Sequence, residues 1–256
     1  MAFDQDIQGC AELVQRGAPD RFRAVMAAPP AARAVLFAVH AFNLEVARAP
    51  WVTQESMIAE MRLQWWRDAL DEMRRGGPVR RHEVATPLSR MLDPGGAARL
   101  DALVEARRWD IYREPFEDIA HFRDYIGKTS GNLVVTAALG LGDGPEDPLQ
   151  RAGYALGLAS WLRAVPALEK AGRIPLVDGT HDGVRALARE GLEALREARR
   201  AGVPAALRPA LLEMPQAAAV LRRAARSPGR VGAGELEISP ARDRLMLIGS
   251  ALTGRW

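Results

Sequence analysis

Apolar residues recur at helical spacing along almost the whole chain. Leu63, Trp66, Leu70 and Met73 lie three or four residues apart, and other segments show comparable sets. This spacing places the apolar side chains on one face of an α-helix. No apolar–polar alternation between hairpin turns, which would indicate β-strands, is found in the sequence. We therefore predict an all-α protein.

Proline, glycine and capping residues divide the chain into roughly ten predicted helices, with the breakers spread evenly. Because no composition shift marks a boundary, we predict a single domain over residues 1–256. We also predict a turn at residues 93–96, a loop at 178–183 and a mobile loop at 227–234. The predicted helices cover residues 4–16, 30–50, 53–76, 87–92, 97–111, 115–141, 147–170, 184–201, 204–226 and 239–252, with a further helix starting at 18.

Composition excludes several classes of protein. With 48% hydrophobic and 26% charged residues, the chain has the composition of a soluble globular protein and not of a disordered or collagen-like one. The lone cysteine, Cys10, cannot form an internal disulfide, which favours a reducing compartment. The net charge of +3 allows an anionic partner without requiring one.

The sequence shows no targeting or membrane-spanning segment. Residues 1–6 are acidic and lack the basic and apolar regions of a signal peptide. No run of about 18 apolar residues occurs, so we expect no transmembrane segment. These features predict a cytoplasmic protein and leave peripheral contact with the inner membrane open.

Several common kinds of functional site are missing from the sequence. The four histidines form neither an HExxH motif nor a Cys/His cluster, which argues against a zinc site. Gly127-Lys128-Thr129 resembles the end of a phosphate-binding loop, but Phe122 stands where that motif requires glycine. Arginine pairs such as Arg74-Arg75 are dispersed, so we expect no nucleic-acid partner.

Three segments, at residues 33–48, 61–70 and 157–176, carry a family resemblance. The most specific is Arg62-Leu-Gln-Trp-Trp-Arg-Asp-Ala-Leu70, and Trp109-Asp110, Tyr125 and Ser130-Gly131 support it. In order and spacing they resemble the squalene/phytoene synthase family of head-to-head prenyltransferases. The resemblance is strongest over 15–180, whereas 184–256 matches only in helical character. It implies a helical bundle of the isoprenoid synthase type with a central cavity.

Active members of that family carry aspartate-rich motifs on two facing helices, whose carboxylates hold Mg²⁺ against the substrate diphosphates. Here the aspartate positions hold other residues, so the resemblance implies two degenerate motifs, no metal ligands and no cofactor, although an active member would need Mg²⁺. The first degenerate motif comprises Asn43, Glu45, Ala47, Arg48 and Trp51, and the second comprises Ser160, Arg163, Ala164 and Leu168.

The variant residues resemble a non-catalytic branch of the family. Ala41-Phe42-Asn43, Arg62-x-Gln64-x-Trp66 and Leu162-Arg163-Ala164-x-Pro166 are similar to a branch that includes an assembly factor of mitochondrial respiratory complex I. This resemblance implies a protein without prenyltransferase catalysis. Its expected partners are an isoprenoid diphosphate or other lipid, and a protein in respiratory complex assembly. The alternative is a prenyltransferase that uses an altered site on isoprenoid diphosphates to make squalene- or phytoene-type terpenoids.

The remaining candidate residues have two interpretations each. Four cations form either a residual anion site for a lipid diphosphate or salt bridges between helices. Five aromatic residues line a cavity or fill the core, and core packing is favoured for the tryptophans. Asn43 and Glu45 are either a relic of the first motif or part of a buried network with Arg62. The cations are Arg33, Lys128, Arg163 and Arg173, and the aromatic residues are Phe42, Trp65, Trp66, Tyr125 and Trp161.

Overall fold

Helices make up the regular structure throughout the chain. The computed structural model describes residues 4–53 and 55–256. The first three residues of the acidic segment 1–6, which we expect not to be a signal peptide, lie outside the described residues. No β-strand occurs within these two ranges, and the all-α prediction is confirmed. The α-helices are α1 (Gln5–Gly17), α2 (Pro19–Ala27), α3 (Pro30–Arg48), α4 (Ser56–Arg75), α5 (Ala85–Ser89), α6 (Pro94–Arg107), α7 (Trp109–Tyr112), α8 (Ile119–Ile126), α9 (Asn132–Leu139), α10 (Glu146–Lys170), α11 (His181–Ala201), α12 (Met214–Arg226), α13 (Gly229–Gly232) and α14 (Pro240–Thr253).

Aspartate side chains set the start of several helices. Asp4 caps α1 as predicted, accepting a hydrogen bond from the Ile7 amide at 3.0 Å. The predicted turn at 93–96 is wrong, because Asp93 caps α6 and the following proline occupies its first turn. Likewise, α8 begins after Asp118, which accepts from the His121 amide at 2.7 Å, and not at residue 115.

The predicted helix at 115–141 is divided by a π-helical turn, Gly127–Gly131, between α8 and α9. Such a turn inserts an extra residue and often occurs at functional sites. The Thr129 hydroxyl donates to the Tyr125 carbonyl at 2.6 Å within it. This turn directs Thr129 and Ser130 towards the interior, while Lys128 stays exposed.

The C-terminal third also departs from the predicted boundaries. Thr180 caps α11, so this helix begins inside the predicted loop at 178–183. The predicted helix at 204–226 is a 3₁₀-helix, Ala205–Leu211, followed by α12. The predicted loop at 227–234 contains α13 and buries Val231 against the core, so it is a packed segment.

The apolar core has two parts, which meet in the middle of the molecule. One part lies among α8 to α12 and includes Leu162 and Leu221, and the other lies among α1 to α6 and includes Phe37. Leu141 and Ala210 pack against both parts. The helices therefore form one domain, as predicted. In the described residues, 4–53 and 55–256, we find no helix with the length and apolar character that crossing a bilayer requires.

The π-helical turn crosses α10 at very short range. A Cβ built on Gly153 would stand 2.8 Å from the Gly131 Cα atom and 2.9 Å from the Ser130 carbonyl oxygen. A Cβ on Gly157 would stand 2.7 Å from side-chain atoms of Ile126 and Ser130. Because backbone atoms block any side chain at Gly153, this crossing requires glycine there.

We predict that Gly153→Ala lowers the free energy of unfolding by about 1–3 kcal/mol, because the new methyl group forces α10 and the π-helical turn apart. Gly9 is the matched control, since it lies inside α1 with no atom within 4 Å of a built Cβ. Gly9→Ala should raise stability by about 0.5–1 kcal/mol through helix propensity. Urea unfolding of both variants measures the difference, and equal stability of Gly153→Ala and the wild type would contradict the close crossing.

Candidate functional site

The C-terminal half of α3 and the middle of α10 line a common cavity of about 330 Å³. Residues of both predicted degenerate motifs reach this cavity, so the structure brings the two motifs together. The positions that would hold aspartates in an active enzyme now carry mainly apolar side chains. The motif residues that line the cavity are Asn43, Ala47, Trp51, Ser160, Ala164 and Leu168.

Three other motif residues are absent from the cavity lining. Arg48 is exposed, and Glu45 is half-buried outside the lining. Arg163 is exposed and forms an ion pair with Asp20 at 3.5 Å. Hence Glu45 adds no carboxylate to the cavity, and Arg48 is not positioned to repel a cation within it.

A polar triad, Arg107, Asp110 and Tyr125, forms one wall of the cavity, with Asp110 and Tyr125 buried and Arg107 half-buried. Asp110 is only 4% exposed. The Tyr125 hydroxyl donates to its carboxylate, 3.0 Å from each oxygen. The Arg107 guanidinium donates to the Tyr125 hydroxyl at 2.7 Å and to the Asp110 carboxylate at 3.1 Å. Each member therefore hydrogen-bonds to the other two, while the Nε atom of Arg107 has no hydrogen-bond partner among the described residues.

The surroundings of this triad fix the charge states of Tyr125 and Arg107. Burial, followed by the charge of Asp110, raises the pKa of Tyr125 well above its ordinary value, so the phenol stays neutral. Burial opposes the charge on Arg107, but its neighbours Tyr125 and Asp110 outweigh this effect and raise the pKa of Arg107. The Asp110 carboxylate thus has a permanently charged partner.

Arg173 reaches the same wall from the chain that follows α10. Its guanidinium donates to the Asp110 carbonyl and lies over the rings of Trp51, at 4.7 Å, and Trp109, at 5.7 Å. Burial lowers the pKa of Arg173 from its ordinary value. These contacts join Trp51 of the first motif to the triad.

The four cations predicted as an anion site are not brought together. Arg33 donates to the carbonyls of Met26 and Ala28, at 2.8 and 3.1 Å, where α2 meets α3. Lys128 is exposed and pairs with Asp124 at 2.7 Å. With Arg163 paired to Asp20, only Arg173 lies next to the triad, and the other three make local contacts between or within helices.

The predicted aromatic residues fall into two groups. Phe42, Trp65 and Trp66 pack together between α3 and α4, with ring centroids 5.0–5.1 Å apart in successive pairs, and none of them lines the cavity. Tyr125 and Trp161 do line it. The Trp161 indole donates to a backbone carbonyl at 2.8 Å, which fixes the ring in place.

The buried network of Asn43, Glu45 and Arg62 does not form. Arg62 is exposed, and no hydrogen bond joins these three side chains to one another in the part of the chain that the structure describes. Two charged residues of the cavity lining, Arg21 and Arg107, are not among the residues predicted from the sequence. The spacing of Arg107 and Asp110, one helical turn apart, is the signal that points to their pairing.

The cavity's donor set does not fit a magnesium cluster. Mg²⁺ prefers oxygen ligands and is bound mainly through carboxylates. Asp110 supplies the one carboxylate in this lining, and both of its oxygens are engaged by Tyr125 or Arg107. The lining also contains two arginines, Arg107 and Arg21, and Arg21 pairs with Glu213 at 3.2 Å. Within residues 4–53 and 55–256, no group of three His, Cys, Asp or Glu side chains could hold a metal ion.

Known proteins with similar sequences carry names from respiratory complex assembly. The chain is 29% identical over 166 residues to the Drosophila melanogaster protein named NADH dehydrogenase (ubiquinone) complex I, assembly factor 6 homolog, covering 61% of this chain and 50% of that protein. It is 25% identical over 162 residues to human NADH dehydrogenase (ubiquinone) complex I, assembly factor 6, covering 61% and 48%. The chain therefore spans about half the length of the curated relatives it matches.

Solved structures and a family model identify the fold and the family. A dehydrosqualene synthase crystallised in complex with ligand superimposes with a TM-score of 0.78 at 17% identity, covering 98% of both chains. Squalene synthase HpnC from Alicyclobacillus acidocaldarius gives 0.67 at 21% identity, covering 86% of this chain and 93% of that one. These likenesses confirm the predicted isoprenoid synthase-type fold. Because the squalene/phytoene synthase family model matches residues 14–178, well over half of the sequence, the chain belongs to the squalene/phytoene synthase family.

Proposed function

We propose that this protein acts without prenyl transfer, as a binding protein in the assembly of respiratory complex I. The observation that carries the proposal is the chemistry of the cavity between α3 and α10. Ala47, Ala164 and Leu168 stand where aspartates would hold Mg²⁺ in an active family member, and all three line the cavity. The fold is retained while the groups needed for its usual chemistry are missing.

The physical reason against prenyl transfer is the charge on a diphosphate leaving group. Ionising an allylic diphosphate in an apolar cavity requires positive charge that stabilises the departing anion, which Mg²⁺ supplies in this family. Here Arg107 already neutralises Asp110, and Arg21 already pairs with Glu213. Arg173 has no carboxylate partner among the described residues, but it is held by the Asp110 carbonyl and is not part of the lining. The lining itself therefore offers little positive charge to a leaving group.

The names of the curated relatives support the assembly role. Similarity to complex I assembly factor 6 proteins covers 61% of this chain. The proposal includes a protein partner in that assembly pathway and a peripheral position at the inner membrane, where complex I is assembled. The cavity, walled by Trp51, Trp161, Leu133 and Leu168, suits an isoprenoid or other lipid chain that is held but not converted.

The proposal predicts no turnover of farnesyl or geranylgeranyl diphosphate in the presence of Mg²⁺. Release of inorganic diphosphate and extraction of apolar product measure this directly. An active squalene synthase assayed in parallel shows that substrate and metal are competent. Diphosphate release by the wild-type chain at a rate comparable with that enzyme would contradict the proposal and favour the altered prenyltransferase.

We predict that Asp110 is a structural anchor. Asp110→Asn should lower the free energy of unfolding by about 2–4 kcal/mol, because half-buried Arg107 loses its counter-charge. Asp124→Asn is the matched control: Asp124 pairs only with exposed Lys128, so the loss should stay below about 1 kcal/mol. Thermal unfolding of the wild type should be unchanged by millimolar Mg²⁺. A rise in melting temperature with Mg²⁺ that Asp110→Asn abolishes would show instead that Asp110 is a metal ligand.

The assembly role predicts a defect in complex I when the gene is deleted in its host. Native gels of membranes should show less assembled complex I and lower NADH:ubiquinone oxidoreductase activity, with other respiratory complexes unchanged. The wild-type gene should restore both. A deletion strain with normal complex I would contradict the assembly role even if the chain proves catalytically inactive.

A further inference from the structure

Helix α14 carries an apolar stripe that nothing in the described chain covers. Leu245, Ile248 and Leu252 are 70%, 54% and 81% exposed. Ile248 follows Leu245 by three residues and Leu252 follows Ile248 by four, so all three lie on one face of the helix. The opposite face packs against α2 and α12, and Ser250 is buried there. The helix is therefore docked on one side and apolar on its free side.

Arginines flank this stripe on both sides. At about 100° per residue, Arg242 lies roughly 90° to one side of the stripe and Arg244 roughly 70° to the other. Both are exposed, and neither forms an ion pair with any described residue. Arg255 follows just beyond the helix and is also exposed.

No acidic side chain offsets these charges on the free face. The acidic residue of α14, Asp243, points the other way and pairs with Arg23 of α2 at 3.5 Å, with its side chain 14% exposed. Apart from Thr253, the exposed side chains of α14 are thus apolar or basic. Apolar side chains bordered by arginine are typical of helices that lie in the interface of an anionic membrane.

We propose that the free face of α14 docks the protein onto a bilayer surface that carries anionic headgroups. Leu245, Ile248 and Leu252 enter the boundary between headgroups and acyl chains. Arg242 and Arg244 remain at the level of the lipid phosphates, since long basic side chains reach towards the polar layer. This surface lies beyond residues 14–178, so it is separate from the part that defines the family.

The charges favour this occupant over a second copy of the chain. In a two-fold contact through the stripe, the exposed arginines at the edges of one copy (Arg242, Arg244 and Arg255) would meet those of the other copy, with no acidic side chain of the stripe to pair them. Another exposed apolar pair, Met57 and Met61 on α4, lacks the basic border, because the same helix face continues to the exposed Asp68. That pair supplies a matched control.

Co-sedimentation of the whole protein with vesicles tests the proposal. We expect binding to vesicles of phosphatidylcholine with phosphatidylglycerol, weaker binding to pure phosphatidylcholine, and weakening by salt. Leu245→Ser, Ile248→Ser and Leu252→Ser combined should lower the partition coefficient at least about tenfold. Met57→Ser with Met61→Ser should leave it unchanged. All substituted side chains are exposed, so thermal unfolding should confirm that each variant folds.

A charge-reversal pair separates electrostatic from apolar contributions. Arg242→Glu with Arg244→Glu should abolish the preference for phosphatidylglycerol, with a loss of about tenfold or more. Arg62→Glu with Arg189→Glu makes the same change in net charge at exposed sites elsewhere and should have a much smaller effect.

Three results would overturn the proposal. They are no vesicle binding by the wild type, equal binding by the α14 variants and the wild type, and a dimer in solution that the triple-serine variant abolishes. This proposal rests on the proposed function in one respect only: the proposed function identifies the membrane as the inner membrane. The vesicle assay contains no respiratory complex, so its failure leaves the complex I phenotype to be judged separately, and a normal complex I does not affect the vesicle result.

Discussion

The crossing of α10 over the π-helical turn is the contact on which the cavity depends. Gly153 lets α10 approach the backbone of the turn, and Gly157 leaves room for the side chains of Ile126 and Ser130, so the turn is closely packed against the helix. The π-helical turn also places Thr129 and Ser130 in the cavity wall. Tyr125 lies one helical turn earlier and its carbonyl accepts from Thr129, so the position of the triad follows from this same crossing.

Loss of the aspartates removes the negative charge that bound cations would otherwise have to neutralise in the cavity. A ring of carboxylates around a cavity is stable only with bound cations, because like charges repel strongly at low dielectric. With Ala47, Ala164 and Leu168 at those positions, the cavity lining keeps one carboxylate, that of Asp110, and Arg107 pairs with it. Trp51 lies over the Arg173 guanidinium and forms part of the cavity lining. The cavity can thus persist without a metal.

Local sequence predicts helix positions well but helix starts and interruptions less well. Asp4 was identified as a cap because the apolar period begins directly after it. Asp93 precedes proline and two glycines, residue types that suit both a turn and a first helical turn, and packing of the following residues decides between them. The π-helical turn has no local signature, because its extra residue is fixed by the distant contact with Gly153.

The site shows the same division between local and distant determinants. Convergence of the two degenerate motifs could be predicted, because the family resemblance fixes their places on two facing helices. The triad could not be predicted in full: Arg107 and Asp110 are one turn apart, but Tyr125 joins them across a separate helix. The three cations Arg33, Lys128 and Arg163 share only charge, and charge alone does not specify a common site, since each finds a partner within its own neighbourhood.

Some arginines of this protein therefore have a carboxylate partner within the fold, and others do not. Arg21 and Arg107 face carboxylates across short distances, and their charge is used within the molecule. Arg242 and Arg244 border an apolar stripe with no acid beside them, and their charge is directed outward. A folded domain gains no stability from exposing several apolar side chains together, because burial of apolar side chains is what stabilises a fold, and the unpaired arginines beside them contribute no ion pair. Such a surface is explained by a binding partner that supplies both an apolar layer and negative charge.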